Sequence, residues 1–218
     1  MSLDSYYKDH WVEIEDERLD RYEQMFQWSP AFERLLEPAD IMPGQTVGDL
    51  GCGPGFLTLQ LLERVGPEGH VHSFDVSADF IERTRVKAEA AGLSDRLTLH
   101  HLTGAGLPLA DTVLDRIIAK NVMVYVDDPA ETFREFQRIL KNGGKAHAID
   151  SDFSMVAIDP VPPAEWRALV DAAAHAFRTP NIGRKLYGLA RSAGFADVQV
   201  QILAAPDIKG RMLNFAQN

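Results

Sequence analysis

The sequence predicts an α/β protein: a doubly wound, mainly parallel sheet with helices on both faces and a helical cover at the N-terminal side. Three observations carry this. A short apolar run, Val47-Gly48-Asp49-Leu50, breaks into glycines on alternate positions, Gly51, Gly53 and Gly55, and an apolar helical pattern starts at Phe56. From Thr46 onward, strand-like runs alternate with helical patterns of about 10–15 residues, as in a parallel sheet covered on both faces. The 218 residues, 45% hydrophobic and 25% charged, suffice for one domain with a sizeable core.

Residues 4–37 read as helices ahead of the sheet. The segment is rich in aromatics (Tyr6, Tyr7, Trp11, Tyr22, Phe26 and Trp28), and Ser29-Pro30 breaks it before a second helix through Phe32, Leu35 and Leu36. Proline suits a first helical turn. The segment reads as an amphipathic cover for one sheet edge or as a lid over the glycine turn. Pro43-Gly44 turns the chain into a strand at 46–50, followed by a helix at 55–65, a strand at 70–75 and a helix at 77–91 that Gly92 caps. Strands follow at 96–102 and 114–119, then a helix at 129–140 closed by Asn142-Gly143-Gly144, and a strand at 145–150. Helical patterns at 163–177 and 183–193 precede a last clear strand at 198–203, and Met212–Phe215 reads as a short strand or a helix start. No repeat or linker divides the chain. It reads as a single domain with an N-terminal cover (1–43), a cofactor-binding half (44–150) and a substrate-side half (151–218).

The formal net charge of -10 repels a phosphate backbone and argues against a nucleic-acid partner. Arg178, Arg184, Lys185 and Arg191 read as a solvated helix face, with Arg178 and Arg184 also open to an anionic substrate. No run of about 18 apolar residues is present and no charged n-region with an apolar h-region opens the sequence, so neither membrane insertion nor a secretory leader is expected. The single cysteine, Cys52, cannot form an internal disulfide, which fits a cytoplasmic location.

The glycine turn is a ligand-binding turn. Glycine allows close approach to the main chain, the helix beyond offers unpaired N–H groups, and open α/β sheets place ligands at the carboxyl ends of their strands. A dinucleotide fingerprint requires G-x-G-x-x-G, but Phe56 stands where its last glycine belongs. Asp49 would repel a pyrophosphate and can hold an ammonium group or water, so an amino-acid-like, cationic ligand suits the turn better than NAD. Asp75 ends the second strand, 20 residues after Gly55, where an acid can accept hydrogen bonds from both ribose hydroxyls. Its structural alternative is a helix N-cap, a role Ser77 already fills. Val76 can pack on a purine face.

These residues resemble the class I S-adenosylmethionine-dependent methyltransferases. Val47–Gly55 matches their glycine-rich motif and Asp75 their ribose-binding acid. Leu107–Asp111 with Leu114–Ile118 resembles the approach to their fourth strand, Glu135–Gly144 the helix and turn before their fifth, and Ala193-Gly194-Phe195 the entry to their sixth. Order and spacing hold from about 46 to 204, and the ubiquinone/menaquinone-biosynthesis-like, small-molecule branch is the nearest in look. The resemblance implies a Rossmann-like sheet of the seven-stranded type and S-adenosylmethionine as cofactor. It implies that Gly51, Gly53 and the main chain at Cys52 hold the methionine part, that Asp75 binds ribose and that Val76 flanks adenine. Thr103-Gly104-Ala105 falls where the family often has Asp-Ala, leaving main-chain N–H groups at Gly104 or Ala105 to read the ring. The Asn121 carbonyl should lie near the sulfonium, and Tyr22 falls where relatives contact the cofactor carboxylate.

Methyl transfer to a small organic acceptor needs in-line alignment, and a base only if the nucleophile arrives protonated. Candidates at carboxyl ends of strands are Tyr125, where relatives often carry a His, and Asp150 and Asp152, whose alternative is capping. His100 and His101, adjacent on a strand, point to opposite faces and read as structural, so no metal site is expected. Two other readings stay open: a non-catalytic module that binds S-adenosylmethionine, and an NAD-dependent oxidoreductase, for which Lys185 and Tyr187 lack Tyr-x-x-x-Lys spacing. Asn121-Val122-Met123-Val124 lacks the Pro-Pro-aromatic sequence of enzymes that methylate base amines.

Overall fold

A computed structural model describes residues 6–12, 14–104, 106–157, 161–172 and 176–204. Helices α1 (Tyr6–Val12), α2 (Asp16–Met25) and α3 (Glu33–Leu36) precede strand β1 (Thr46–Leu50). Then come α4 (Phe56–Val65), β2 (His70–Asp75), α5 (Ala78–Ala90), β3 (Leu97–His101), β4 (Leu114–Lys120), α6 (Pro129–Ile139) and β5 (Leu140–Ile149). Helices α7 (Pro163–Ala172) and α8 (Leu186–Ser192) follow. The strands form one five-stranded sheet in the order β3-β2-β1-β4-β5, every pair parallel.

Central strands of a parallel sheet are buried on both faces and read as continuous apolar runs. Ile117, Ile118 and Ala119 of β4 are fully buried, and they divide between the two cores. Ile118 packs with Val47, Leu61, Leu62 and Val65 beneath α4, and Ile117 and Ala119 pack with Phe133, Phe136 and Ile139 beneath α6. The chain lays β2 and β3 on one side of β1 and then crosses to place β4 on the other. This reversal opens a crevice at the carboxyl ends of β1 and β4, the place where such sheets bind ligands.

Local signals set the helix ends. Ser77 accepts the Phe80 N–H at 3.3 Å at the start of α5, and Asp128 accepts the Glu131 N–H at 2.9 Å with Pro129 opening α6. The buried guanidinium of Arg116 donates from β4 to the carbonyls of Ala39 (2.8 Å) and Asp40 (3.1 Å), fastening the turn after α3 to the sheet.

The structure departs from expectation in three places. The N-terminal helices are shorter than expected: α1 and α2 are separate, and a 3-10 turn at Pro30–Phe32 leads into α3. Strand β5 begins at Leu140, which pairs with Leu114, and the register then shifts so that Arg116 faces Lys145. Asn142-Gly143-Gly144 is thus a bulge within the strand's bounds, with Gly143 at a φ of 79°. The expected strand at 198–203 joins no ladder among the described residues. Alternation marks residues that suit a strand, but a strand exists only against a paired edge, and Val200 and Ile202 stay exposed. The expectation for Met212–Phe215 lies outside the described residues.

Candidate functional site

The floor of the crevice is the turn from β1 into α4. Gly51 and Cys52 both donate their N–H to the Phe74 carbonyl, at 2.8 and 3.0 Å, which ties the turn to the end of β2. The three glycines have φ of 68°, 53° and 89° at Gly51, Gly53 and Gly55, angles that other residues rarely adopt. Their surroundings differ. A Cβ on Gly51 would lie 2.6 Å from Val122 Cγ2, and one on Gly55 would lie 3.0 Å from Thr84 Cα, whereas one on Gly53 would meet nothing within 4 Å. Gly51 and Gly55 are therefore packing glycines, and Gly53 leaves the main chain open to a ligand. Helix α4 starts without a side-chain cap, so its first N–H groups keep their donor capacity. The Cys52 thiol is buried and burial pushes its pKa well up, so it stays protonated.

Asp75 braces the turn. One carboxylate oxygen accepts the Gly53 N–H at 2.8 Å and the other the Ser77 N–H at 2.9 Å. Burial raises its pKa to about 6 against the pull of these N–H groups. Ser77 caps α5 as expected, and each Asp75 oxygen retains a lone pair for a further donor.

Asp49 is 1% exposed. Its Oδ2 accepts the Thr58 hydroxyl at 2.7 Å, and that hydroxyl lies 2.9 Å from Ser73 Oγ. Its Oδ1 is buried with no hydrogen-bond partner. Burial raises the carboxyl to about 7, with the Asp75 charge adding to the rise. Lys120, at the end of β4, opposes that rise; its ammonium sits 4.7 Å from the centre of the Phe32 ring. Asn121 follows in a left-handed conformation, φ 56°, donating its N–H to the Ile149 carbonyl at 2.8 Å. Left-handed backbone is uncommon outside glycine and least so for Asn. It sharply turns the chain so that Val122 packs on Gly51.

At the other end, Val76 is 38% exposed, and Thr103 and Gly104 are exposed as well. A cleft of about 530 Å³ adjoins Thr103 and Gly104 and is walled by Leu107, Glu131 and Glu135. Ala105 lies outside the described residues.

Helices α1 and α2 roof the crevice. The Trp11 ring lies 5.1 Å from Tyr125 beyond β4 and 6.3 Å from Phe80 at the start of α5, so it bridges both banks. Tyr22 is 4% exposed, packs 4.9 Å from Trp11 and accepts a hydrogen bond from Arg18 at 2.9 Å. Ion pairs from Glu23 to Arg83 and Lys87 fasten α2 to α5. Two donors of this roof, Trp11 Nε1 and Arg18 Nε, are buried without a hydrogen-bond partner.

The three candidate bases are placed differently. Tyr125 packs among His10, Trp11 and Phe177, and burial, then the Asp150 and Tyr22 charges, raise its pKa well above the usual phenol range. It stays protonated. Asp150 accepts the Ser151 N–H at 2.8 Å and the Val124 N–H at 3.0 Å, pinning the segment after β4, and burial raises it to about 6. Asp152 grips Arg184 through both oxygens, one at 3.1 Å, and accepts the Ser154 N–H at 3.1 Å. The structure brings Tyr125 and Asp150 to the crevice with Asp49, while Asp152 is engaged in capping and an ion pair. Sequence reasoning missed Thr58, Lys120, Trp11 and Arg18 as parts of the site. Lys120 carried a signal, a cation ending the apolar run Ile117-Ile118-Ala119; the aromatic-rich opening segment pointed to Trp11 only as a group.

Comparisons with known proteins agree with this architecture. A family model described as a methyltransferase domain matches residues 41–202. An uncharacterized 37.1 kDa protein in transposon TN4556 of Streptomyces fradiae is 33% identical over 171 residues, 74% of this chain and 46% of that protein. Demethylmenaquinone methyltransferase of Symbiobacterium thermophilum is 30% identical over 119 residues, 55% of this chain and 47% of that protein. The chain spans less than half the length of these curated relatives. A crystal structure of a SAM dependent methyltransferase from Aquifex aeolicus shares the fold, with a TM-score of 0.62 at 20% identity over 84% of this chain and 89% of that one.

Proposed function

This chain belongs to the methyltransferase-domain family, and we propose that it transfers the methyl group of S-adenosylmethionine to a small organic acceptor by in-line displacement. The observation that carries this reading is the set of buried polar atoms left without partners around the crevice. They are an acceptor on the floor, Asp49 Oδ1, and two donors in the roof, Trp11 Nε1 and Arg18 Nε. Buried polar groups are nearly always satisfied, and exceptions call for an explanation. An α-amino acid group supplies the complement: an ammonium for Asp49 and a carboxylate for Arg18 and Trp11. Tyr22 then supports Arg18 through its hydroxyl.

Gly53 and the start of α4 would face the methionine part, Asp75 the ribose, Val76 and the main chain at Thr103 and Gly104 the adenine, and the Asn121 carbonyl the sulfonium side. The cofactor supplies an electrophilic methyl on sulfur. The chain's part is alignment and exclusion of water, which lower such barriers by up to about 7–11 kcal/mol in well-oriented cases. Residues 1–43 act as the lid, 44–150 as the cofactor half and 151–218 as the substrate side. A cytoplasmic location and the absence of a nucleic-acid partner fit the single cysteine and the net charge of -10.

Titration calorimetry with S-adenosylhomocysteine tests the reading. Saturable binding is expected, and no heat at millimolar ligand would sink it. The engagement of Asp150 and Asp152 by main-chain N–H groups and Arg184 favours one second reading, a module that binds the cofactor without catalysis. Release of S-adenosylhomocysteine over a panel of phenols, quinols and amines separates the two, because a binding module releases none.

A further inference from the structure

We propose that His10, on the roof of the crevice, is the general base of the methyl transfer, and that the acceptor therefore arrives as a neutral hydroxyl of a phenol or enol. The inference rests on the methyltransferase reading above.

His10 is 5% exposed. Its ring meets Tyr125 edge-on at 5.9 Å and Trp11 at 4.7 Å, the two rings that span the crevice, and stacks on Tyr6 at 4.8 Å. Its Nδ1 is hydrogen-bonded to the Tyr6 carbonyl one helical turn earlier. A carbonyl oxygen only accepts, so Nδ1 carries the hydrogen and the neutral ring holds its lone pair on Nε2. Among the described residues nothing hydrogen-bonds Nε2. Fixing one ring nitrogen so that the other is free as a base is how positioned histidines work in acid–base catalysis.

Burial, rather than the balance of neighbouring charges, keeps the ring neutral. Burial lowers its pKa below the usual imidazole range; the Tyr6 carbonyl raises it, Arg18 on α2 lowers it and Asp9 on its own helix raises it. Tyr125 faces it from the segment after β4 as an uncharged phenol, and Asp127 from that side is held by the Tyr7 hydroxyl. The rival bases are placed for other work: Tyr125 is protonated, Asp150 pins the segment after β4 through the Val124 and Ser151 N–H groups, and Asp152 holds Arg184. Beyond Tyr125 the wall continues with Phe177 at 5.6 Å, itself stacked on Phe153 at 4.5 Å. Such rings favour a flat, largely apolar acceptor.

The step balances without a further reactant. The acceptor oxygen forms a bond to the methyl carbon as the carbon–sulfur bond breaks and its electron pair stays on sulfur. The hydroxyl proton passes to His10 Nε2, and the imidazolium returns it to water. The products are a methyl ether, S-adenosylhomocysteine and one proton.

The test compares the wild type with His10→Ala and His10→Gln. Nitrogen NMR of the histidine ring should show the Nδ1–H tautomer in the wild type at neutral pH; an Nε2–H tautomer overturns the proposal whatever acceptor is found. Calorimetry with S-adenosylhomocysteine should give the same affinity in all three proteins, whereas loss confined to the variants would mark His10 as structural and overturn it. With catechol and 1,4-naphthohydroquinone as acceptors, both variants should lose about 10²–10⁴-fold in kcat. His10→Ala should regain activity with added imidazole, and the acidic limb of the wild-type kcat/KM profile should vanish. Undiminished turnover by the variants refutes the base alone. Absence of turnover by the wild type on phenols, quinols and amines alike refutes the methyltransferase reading and this inference with it.

Discussion

The glycine turn and the helical roof close the same crevice from opposite sides, and they are built from different material. The turn is main chain held at its N–H groups: Gly51 and Cys52 on the Phe74 carbonyl, and Gly53, with Ser77 beyond it, on the Asp75 side-chain carboxylate. The roof is side chain held by side chain: Trp11 across Tyr125 and Phe80, Glu23 on Arg83 and Lys87. The first arrangement leaves little room for side chains at Gly51 and Gly55 and suits, in the proposed function, the invariant part of the ligand. The second can be rebuilt by exchanging a few rings, and in the proposed function it meets both the cofactor carboxylate and the acceptor.

The contrast breaks most visibly within the turn. Gly55→Ala forces a left-handed alanine whose Cβ lies 3.0 Å from Thr84 Cα, and urea unfolding should register a loss of about 2–4 kcal/mol. Gly53→Ala, with open space in place of a neighbour, should cost only about 1–2 kcal/mol while sharply weakening S-adenosylhomocysteine binding. Unchanged affinity there would mean that the open side of the turn is not the ligand's side.

Next in size is the pH response of Asp49. Its folded pKa, about 7, lies above the usual unfolded value of about 3.9. The folded state therefore holds the extra proton between those values, and stability falls as pH rises through that window. The contribution is complete below about pH 4 and gone above about pH 7, of the order of a few kcal/mol. Asp75 and Asp150, both about 6, act in the same direction at lower pH. Melting curves from pH 5 to 9 should show that Asp49→Asn removes most of the slope between 6 and 7 and reduces, without abolishing, the slope below 6, where Asp75 and Asp150 also titrate. A ligand ammonium favours the carboxylate, so cofactor affinity should rise with pH over the same interval in the wild type and not in the variant.

Asp75→Ala should weaken S-adenosylhomocysteine about 10–100-fold, the worth of hydrogen bonds to a charged acceptor, and lower the melting temperature because Gly53 and Ser77 lose their acceptor. Equal affinity would remove the ribose assignment. On the roof, Arg18→Met should weaken S-adenosylhomocysteine about tenfold and spare 5′-methylthioadenosine, which has no carboxylate; a parallel loss for both ligands would assign Arg18 to folding. The smallest effect belongs to the rim. Arg184, 51% exposed in its pair with Asp152, should be replaceable by Gln with cofactor affinity unchanged, and a large loss would return Asp152 to the site.

Legibility followed the same division. The order of strands and helices, the turn at Gly51–Gly55 and the acid at Asp75 were readable because each is a local pattern: a period, a glycine spacing, an acid ending a strand. The expected strand at 198–203 pairs with no strand among the described residues, and whether a strand forms depends on a distant edge that alternation does not encode. Asp49 and Asp75 were singled out, but that one is missing a partner while the other holds two N–H groups was not readable. Neither were the tautomer of His10 and the engagement of Asp152 by Arg184, since each depends on which residues meet across the fold.

By itself the sequence determined the parallel α/β class, the glycine turn and the acid beside it. Backbone angles and strand burial are dictated by residue type within a few positions. Tertiary structure alone decided which glycine stays open and which carboxylate oxygen is left bare. It also decided which rings roof the crevice and which nitrogen of His10 is free. Burial and hydrogen-bond partnership belong to pairs of residues far apart in the chain, and only folding brings those pairs together.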